Sequence, residues 1–224
     1  METVEIIALS MGVAWASGLN LYAAIFVLGW LGSSGNLVLP QELLICSDPM
    51  VMFVAGFMYF VEFFADKTPG VDTGWDAIHT FIRIPAGAIL AAGAVGELGQ
   101  GAELVAFLLG GGLTAATHAT KAGGRVLINT SPEPVTNWTA SLAEDIAVIA
   151  GLWTALNSPV VFLVFMGFVI VLMAWLLPKI WRGIKLLYGK VVGFFKRGDS
   201  VEQIQHERPV LPQTKALTRD NEPR

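Results

Sequence analysis

The amino-acid sequence predicts an all-α protein that crosses a membrane six times. Residues 6–41 contain no Asp, Glu, Lys, Arg or His, and residues 160–177 form a second uncharged run that is almost wholly apolar. A helix needs about 20 apolar residues to cross a hydrocarbon core, where its backbone must satisfy its own hydrogen bonds. The composition agrees, because 54% of the 224 residues are hydrophobic, only 14% are charged, and the mean hydropathy is +0.62. These values exclude an ordinary soluble domain.

Six segments of the chain are long or apolar enough to span: 5–31, 43–65, 74–97, 103–127, 139–157 and 159–178. The last two are separated by a tight turn, because Pro159 disfavours helical conformation at Ser158. Because Cys46 is the only cysteine, the chain cannot form an internal disulfide.

The distribution of positive charge predicts the orientation of these segments. Three connections contain no Lys or Arg: 32–42, 98–102 and 157–159. Positive residues instead gather near the ends of the even-numbered segments, at Lys67, at Lys121 and Arg125, and within 179–197. Positively charged connections stay in the cytoplasm. Six crossings with both termini cytoplasmic satisfy this pattern completely.

Two further features concern domain organisation. Residues 12–17 can be aligned with residues 112–117, which is compatible with two inverted three-helix halves, although the identity is too low to establish a duplication. Residues 1–178 are therefore predicted to form the transmembrane domain, with or without this repeat. Residues 179–197 combine apolar residues at helical spacing with Lys and Arg, which predicts an interfacial helix that binds anionic lipid headgroups. Residues 198–224 are polar and predict a disordered cytoplasmic tail.

The densest group of polar residues lies around the second connection. Four of them recur at steps of four, three and four, on one face of the third helix: Asp72, Asp76, His79 and Arg83. Glu62 and Asp66, four apart, share one face at the end of the second helix. An arginine two turns inside an apolar segment needs an acidic partner, and Glu62, Asp66 and Asp76 are the candidates. The stripe is either a salt-bridge network that fixes the hairpin or a polar cavity for an ion, a proton or an anionic headgroup.

A second group of candidates lies on the fourth helix. Four polar residues share one of its faces: Thr114, Thr117, His118 and Lys121. Either this face belongs to the same polar path, or the helix is simply packed and Lys121 and Arg125 extend to the surface. His118 lies deeper and is predicted to face Glu144 or Asp145 on the next helix. Ser17 and Asn20 of the first helix are weaker candidates, since such residues commonly form hydrogen bonds between helices.

An enzymatic role rests on weaker signals. Asp72 and Asp76 form a single D-x-x-x-D pair, the only candidate for a metal site, which suggests a metal-dependent enzyme that modifies lipids. The sequence contains no second aspartate-rich motif of that type and no Walker loop. No cofactor and no nucleic-acid partner are predicted.

Three runs resemble a bacterial membrane-protein family catalogued as domain of unknown function 4126. They are FFADKTPGVD at 63–72 followed by WDAIHTFIRIPAGA at 75–88, ASGLN at 16–20, and ATKAGGR at 119–125. The resemblance implies a small multi-span protein of the bacterial inner membrane, and it implies no activity and no residue role. The leading hypothesis is a small transporter or channel with a polar path through helices 2 to 5. The alternative is a structural or lipid-binding membrane protein, and a homo-oligomer is compatible with either.

Overall fold

The computed structural model describes residues 2–68, 70–130 and 134–206, and every regular element in these ranges is a helix. The α-helices are α1 (Thr3–Ser33), α2 (Pro49–Ala65), α3 (Val71–Ala94), α4 (Gln100–Ile128), α5 (Pro134–Asn157) and α6 (Pro159–His206), and two 3₁₀ helices cover Gln41–Ser47 and Gly96–Leu98. Five helices, α1, α3, α4, α5 and α6, contain stretches long and apolar enough to cross a membrane. The all-α, multi-pass prediction is therefore confirmed.

The second predicted span is bent. The 3₁₀ helix Gln41–Ser47 and α2 differ in direction by 66°, so the chain has six crossings only if this pair counts as one. The bend follows from local sequence: the side chain of Asp48 caps α2 by accepting from the backbone N–H groups of Met50 (2.8 Å) and Val51 (3.1 Å). Pro49 occupies the first helical position, where its missing N–H costs nothing. The prediction of one continuous helix over 43–65 is therefore wrong at Asp48 and Pro49.

α1 lies at the centre of the bundle and is itself interrupted. It contacts α2, α3, α4 and α5, and 67% of the residues in its most apolar stretch are buried. Asn20, near its midpoint, has a non-helical backbone (φ −150°, ψ 98°). The Oδ1 atom of Asn20 accepts from the backbone N–H of Ala23 at 3.0 Å, and so caps the second half of the helix. α1 is therefore two half-helices joined at Asn20.

α3 carries its polar residues inward and its apolar residues outward. The predicted stripe is buried in full: Asp72, Asp76, His79 and Arg83 are each at most 3% exposed. Ile78 and Phe81, which the helical spacing directs elsewhere, are 65% and 83% exposed. This inversion of a soluble helix is typical of a transmembrane helix whose charged residues face the bundle interior.

A close crossing holds α1 against α4 beside the interruption. A side chain at Gly18 would begin 2.6 Å from the Cβ of Thr117, which is closer than real Cβ atoms approach one another. Two helices can approach this closely only where a glycine or another small residue provides the space. The glycine therefore fixes the distance between the broken helix and α4.

The predicted domain organisation stays a prediction, and the structure gives the following bounds for the end of the chain. The protein divides into two compact units, residues 1–184 and 185–224, and α6 continues to His206 without a boundary at 178. Residues 198–206, predicted as the start of a disordered tail, are part of this helix; the first proline after them is Pro209. The remainder of that predicted tail, 207–224, lies outside the described residues.

Candidate functional site

The polar residues of four helices meet in one buried ion-pair network. Nine ion pairs join three cations to five carboxylates in the described part of the chain: Arg83, Lys121 and Arg125 to Glu62, Asp66, Asp72, Asp76 and Glu144. Seven of these eight side chains are at most 4% exposed, and Glu144 is 18% exposed. The sequence groups from the second connection and from the fourth helix thus form a single site.

Arg83 is a fully buried member of the network. Its Nη2 donates to Oε1 of Glu62 at 2.5 Å, and its Nη1 lies 3.4 Å from Oδ1 of Asp76. The same Nη1 donates to the backbone carbonyl of Leu19 at 3.1 Å. The predicted acidic partner of Arg83 is confirmed, and the arginine also binds the broken helix α1.

Lys121 is the junction of the network. Its Nζ donates to Oδ2 of Asp66 at 2.7 Å, to Oε1 of Glu62 at 3.2 Å and to the carbonyl of Leu19 at 2.8 Å. It also lies 3.6 Å from Oε2 of Glu144. A buried ammonium that contacts several carboxylates is held in its charged form by them. The alternative in which Lys121 extends to the surface is wrong.

Arg125 joins α4 to α2 and α5, and it too is buried rather than extended to the surface. Its Nη2 donates to Oε2 of Glu144 at 2.6 Å, and its Nη1 donates to the backbone carbonyl of Asp66 at 2.5 Å. Its side chain is 1% exposed. Lys121 and Arg125 lie one helical turn apart, and they therefore bind adjacent carboxylates on the same side of α4.

Asp76 differs from the other carboxylates. Its side chain is 1% exposed, and neither carboxylate oxygen has a hydrogen-bond partner among the described residues. The nearest cationic atoms are Nη1 of Arg83 at 3.4 Å and Nζ of Lys121 at 4.0 Å, both from Oδ1. A buried polar group without a partner is rare in native proteins and calls for an explanation.

His118 packs against α3 instead of the predicted Glu144 or Asp145. Its Nε2 lies 3.1 Å from the backbone carbonyl of Asp76 and 2.8 Å from Oγ1 of Thr80, and its Nδ1 lies 3.4 Å from Nη1 of Arg83. A carbonyl can only accept and a guanidinium can only donate. These partners assign the proton to Nε2 and the lone pair to Nδ1, which makes His118 a neutral imidazole.

His79 lies on the same stripe but outside the ion-pair network. Its Nδ1 donates to the carbonyl of Trp75 at 2.9 Å, its Nε2 contacts the hydroxyl of Tyr22 at 3.1 Å, and its ring stacks on Trp75 at 4.2 Å between centroids. These contacts hold α3 against the second half of α1. His79 is thus placed as a packing residue at the edge of the site.

Asp72 and Asp145 are bound by amides rather than by close cations. Nδ2 of Asn129 donates to both carboxylate oxygens of Asp72, at 2.8 and 2.9 Å, and Nδ2 of Asn20 donates to Oδ1 of Asp145 at 3.2 Å. In turn, Nδ2 of Asn137 donates to Oδ1 of Asn129 at 2.7 Å. Sequence reasoning missed Asn129, although it follows Arg125 by four residues, on the same helical face.

The carboxylate of Asp72 accepts hydrogen bonds from several protein groups. Among the described residues, no group of three or more His, Cys, Asp or Glu side chains is placed to hold a metal ion. The backbone N–H of Gly70 also donates to Oδ1 of Asp72, at 2.8 Å. The carboxylate therefore fixes the turn before α3, where Gly70 has a positive φ of 87°.

The weaker candidates serve helix packing. Oγ1 of Thr114 donates to the carbonyl of Ala14 at 2.8 Å and so joins α4 to α1. Ser17 donates within its own helix, to the carbonyl of Val13 at 2.6 Å, and Thr117 donates to the carbonyl of Leu113 at 2.9 Å and to Sδ of Met173 on α6 at 3.6 Å. Of the two first-helix residues predicted to form hydrogen bonds between helices, Asn20 does so, to Asp145 on α5.

Lys67 lies beside the network at the α2–α3 connection, and its contacts were not predicted. Its Nζ lies 3.0 Å from the centroid of the Phe63 ring, and it donates to the backbone carbonyl of Phe63 at 3.2 Å and to Oγ of Ser141 at 3.3 Å. Burial lowers the pKa of the Lys67 ammonium, against the opposing effect of the carboxylates of Asp145 and Asp66. An aromatic face, a carbonyl and a hydroxyl are its direct partners, so this cation is not a member of the ion-pair network.

A cavity of about 250 Å³ reaches the network from the side of α6. Its polar lining residues are Thr117, Thr120, Lys121, Arg125 and Glu144, and its apolar wall includes Leu19, Val169, Leu172, Met173 and Leu176. The cavity touches both the helix break and the ion pairs. This position explains why Glu144 is the most exposed carboxylate of the network.

Comparisons with known proteins place the chain in a family. No curated protein and no solved structure matches it. A family described as "Domain of unknown function (DUF4126)" matches residues 7–179, a range that contains the whole ion-pair network and the break in α1. The resemblance seen in the sequence is thereby confirmed, and the protein belongs to this family of unknown function.

Proposed function

We propose that the protein is a small transporter or channel of the bacterial inner membrane, whose polar path is lined by α2 to α5 and by the break in α1. The observation that carries this proposal is the backbone carbonyl of Leu19. The break at Asn20 turns this carbonyl toward Arg83 and Lys121, which both donate to it. Discontinuous helices with exposed carbonyls near the bilayer midplane are typical of substrate and ion sites in transporters.

The energetics support a functional role for this arrangement. Each unsatisfied backbone group in lipid costs several kcal/mol, so broken helices occur where the backbone lines a cavity or is buried in protein. Buried ion pairs add little net stability, because desolvation offsets most of their attraction. An uninterrupted α1 packed on apolar residues would make an equally good scaffold. The break and the charges together therefore favour a conduit.

The depth of the network supports the same proposal. Arg83 lies twelve residues after Val71, the start of α3, which places it about 18 Å along the helix. Charged residues at the ends of α2 and α4 continue the network towards the connections of the bundle, and Glu144 joins it from the middle of α5. The polar residues thus extend over about half of the membrane thickness. The cavity beside Leu19 and Glu144 borders this path on the side of α6.

The proposal includes two further features predicted from the sequence, the orientation of the termini and the inverted repeat. We place both termini in the cytoplasm, on the side where the positive residues gather. The inverted repeat is supported by the hydrogen bond from Thr114 to Ala14, since it joins two positions that the internal alignment makes equivalent. The binding of anionic headgroups by residues 179–197 stays a prediction.

Flux in reconstituted vesicles tests the proposal. Purified protein would be reconstituted into proteoliposomes. Proton flux would be followed with an internal pH dye under an imposed membrane potential, and the flux of neutral solutes by light scattering after an osmotic step. We expect flux above that of protein-free liposomes. Asn20→Ala, which removes the cap of the second half-helix, should reduce it at least tenfold. Ser10→Ala, on the same helix and bonded to the carbonyl of Ala91 instead, is the matched control.

The alternative is a structural membrane protein, favoured by the tight pair of Arg83 and Glu62, both fully buried. In that case, wild-type protein of confirmed fold gives no flux for any solute, and Asn20→Ala lowers thermal stability alone. That result would overturn the transport proposal.

A further inference from the structure

The ion-pair network contains more carboxylates than cations. Its three cations, Arg83, Lys121 and Arg125, face five carboxylates, so the fully ionised network carries two excess negative charges. Uncompensated charge buried in protein is costly, and a carboxyl group in such a place takes up a proton instead. One excess charge can remain hydrated at Glu144, which borders the cavity and is 18% exposed. The other has no such outlet.

Asp76 is the carboxyl group where a proton fits. Glu62 and Asp66 each accept a hydrogen bond from Lys121, Glu144 accepts one from Arg125, and Asp72 accepts two from Asn129. Asp76 accepts none with either oxygen from the described part of the chain, and it is 1% exposed. Hydrogen bonds to a carboxylate favour its ionised form. Their absence at Asp76 makes this group the one most readily protonated in the network.

The charged groups around Asp76 also select a proton over a metal cation. Arg83 on its own helix and Lys121 on α4 lie within 4.0 Å of Oδ1, and His118 on α4 binds its backbone carbonyl as a neutral ring. Glu62 and Asp66 on α2 share Lys121 with it. A metal ion at Asp76 would be repelled by two cations at contact distance. A proton adds no separate ion there, because it converts the carboxylate into a neutral acid.

We propose that Asp76 is the proton-binding site of this protein, the group that takes up and releases the proton moved or coupled in transport; as a coupling site it rests on the proposed function. On release, the O–H bond of the carboxylic acid breaks, its electron pair stays on the carboxylate, and a water molecule takes up the proton. The carboxylate that forms is then attracted to Arg83 and Lys121, which already lie at ion-pair distance. Uptake reverses these steps, and no electron transfer is involved. Because Arg83 and Lys121 also bind the Leu19 carbonyl, the charge on Asp76 is linked directly to the break in α1.

Infrared titration tests the site without any transport assay. A protonated carboxyl group has a C=O stretching band that disappears on ionisation, and difference spectra of purified wild-type protein would be recorded from acid to alkaline pH. We expect a band that persists at neutral pH and is lost on further alkalinisation. Asp76→Asn should lack this band. Asp72→Asn is the matched control on the same helix, and it should retain the band, since Asp72 is bound by Asn129.

The outcomes separate the site from the function. A band that is unchanged in Asp76→Asn, or absent from the wild type, overturns the assignment even if the protein conducts. Stabilisation by Na⁺ that is lost in Asp76→Asn also overturns it, in favour of a metal cation. A band that depends on Asp76 supports the assignment. In proteoliposomes, proton flux reduced at least tenfold by Asp76→Asn, but not by Glu97→Gln, which removes an exposed carboxylate outside the network, supports its coupling role. A titrating band with no flux of any solute would instead overturn the transport proposal and retain the proton site.

Discussion

Arg83 and Leu19 are joined by a hydrogen bond of 3.1 Å between the guanidinium and a backbone carbonyl, at the residue that precedes the non-helical Asn20. The two residues lie 64 positions apart in the sequence and on different helices. Lys121 donates to the same carbonyl at 2.8 Å. A single acceptor in the centre of the bundle therefore links α1, α3 and α4, and a change at any of the three is transmitted to the others.

Replacing Arg83 by alanine should strand the carboxylate of Glu62 and release the carbonyl of Leu19. Removing one partner of a buried pair typically costs about 3–5 kcal/mol. Arg83→Lys should be milder in charge but still impaired, since a single ammonium nitrogen cannot reproduce the fixed, planar spacing of Nη1 and Nη2. Thermal unfolding in detergent measures both effects. Arg182→Ala, at an exposed position of α6, is the control, and an Arg83→Ala protein as stable as the wild type would contradict the pairing seen here.

Neutralising Glu62 and neutralising Asp76 should have different effects. Glu62→Gln removes the charge that binds Arg83 and Lys121, and hydrogen bonds to charged groups contribute about 1.5–3 kcal/mol each. Asp76 accepts no hydrogen bond from described residues, so Asp76→Asn should leave the unfolding temperature nearly unchanged. Chemical or thermal unfolding of both variants under the same conditions measures this difference in stability. Equal loss of stability would show that Asp76 is an ordinary member of a packed network.

The crossing of α1 and α4 predicts a sharp difference between two glycines. A Cβ at Gly18 would meet Thr117 at 2.6 Å and the carbonyl of Thr114 at 2.7 Å, whereas a Cβ at Gly112 has nothing within 4 Å. Gly18→Ala should therefore destabilise the protein by about 1–3 kcal/mol, as overpacking does. Gly112→Ala should be neutral, or stabilising by up to about 1 kcal/mol, because alanine favours the helix. Similar unfolding temperatures for the two variants would disprove this close packing.

The orientation of the bundle is tested with reporter fusions. The predicted topology places Gly35 outside and Arg224 in the cytoplasm, because the positive residues gather on one side. An alkaline phosphatase fusion should be active at Gly35 and inactive at Arg224, and a green fluorescent protein fusion should show the reverse. Both positions reporting the same side would rule out six crossings and mean that the bent pair around Asp48 does not span.

The stripe on α3 was predictable, whereas the break in α1 was not. Asp72, Asp76, His79 and Arg83 follow helical spacing, and the cost of charge in lipid leaves them only one direction to face. Asn20 carries no comparable signal, since an asparagine in an apolar helix is compatible with an ordinary hydrogen bond between helices. Its unwinding depends on Arg83 and Lys121, which reach it from distant parts of the chain.

Other differences had local or tertiary causes. The bend before α2 was encoded in Asp48 and Pro49, a cap followed by a proline at the first helical position, and a closer reading of these two residues would have found it. The partner of His118 was not encoded locally. Spacing directs this residue into the bundle, but the packing of α3 against α4 decides that it meets Thr80 and the carbonyl of Asp76.

The spacing of the network along the chain has a consequence for biosynthesis. Glu62 and Arg83 are 21 residues apart, so this pair can close within the α2–α3 hairpin as soon as that hairpin has left the ribosome. Lys121 is made 55 residues after its partner Asp66, and Arg125 is made 19 residues before Glu144. Until α4 arrives, the hairpin carries surplus carboxylates that lipid does not tolerate. α2 and α3 therefore insert stably only after α4 has been made. Synthesis of the fourth helix is thus the step after which the nascent chain stays in the membrane.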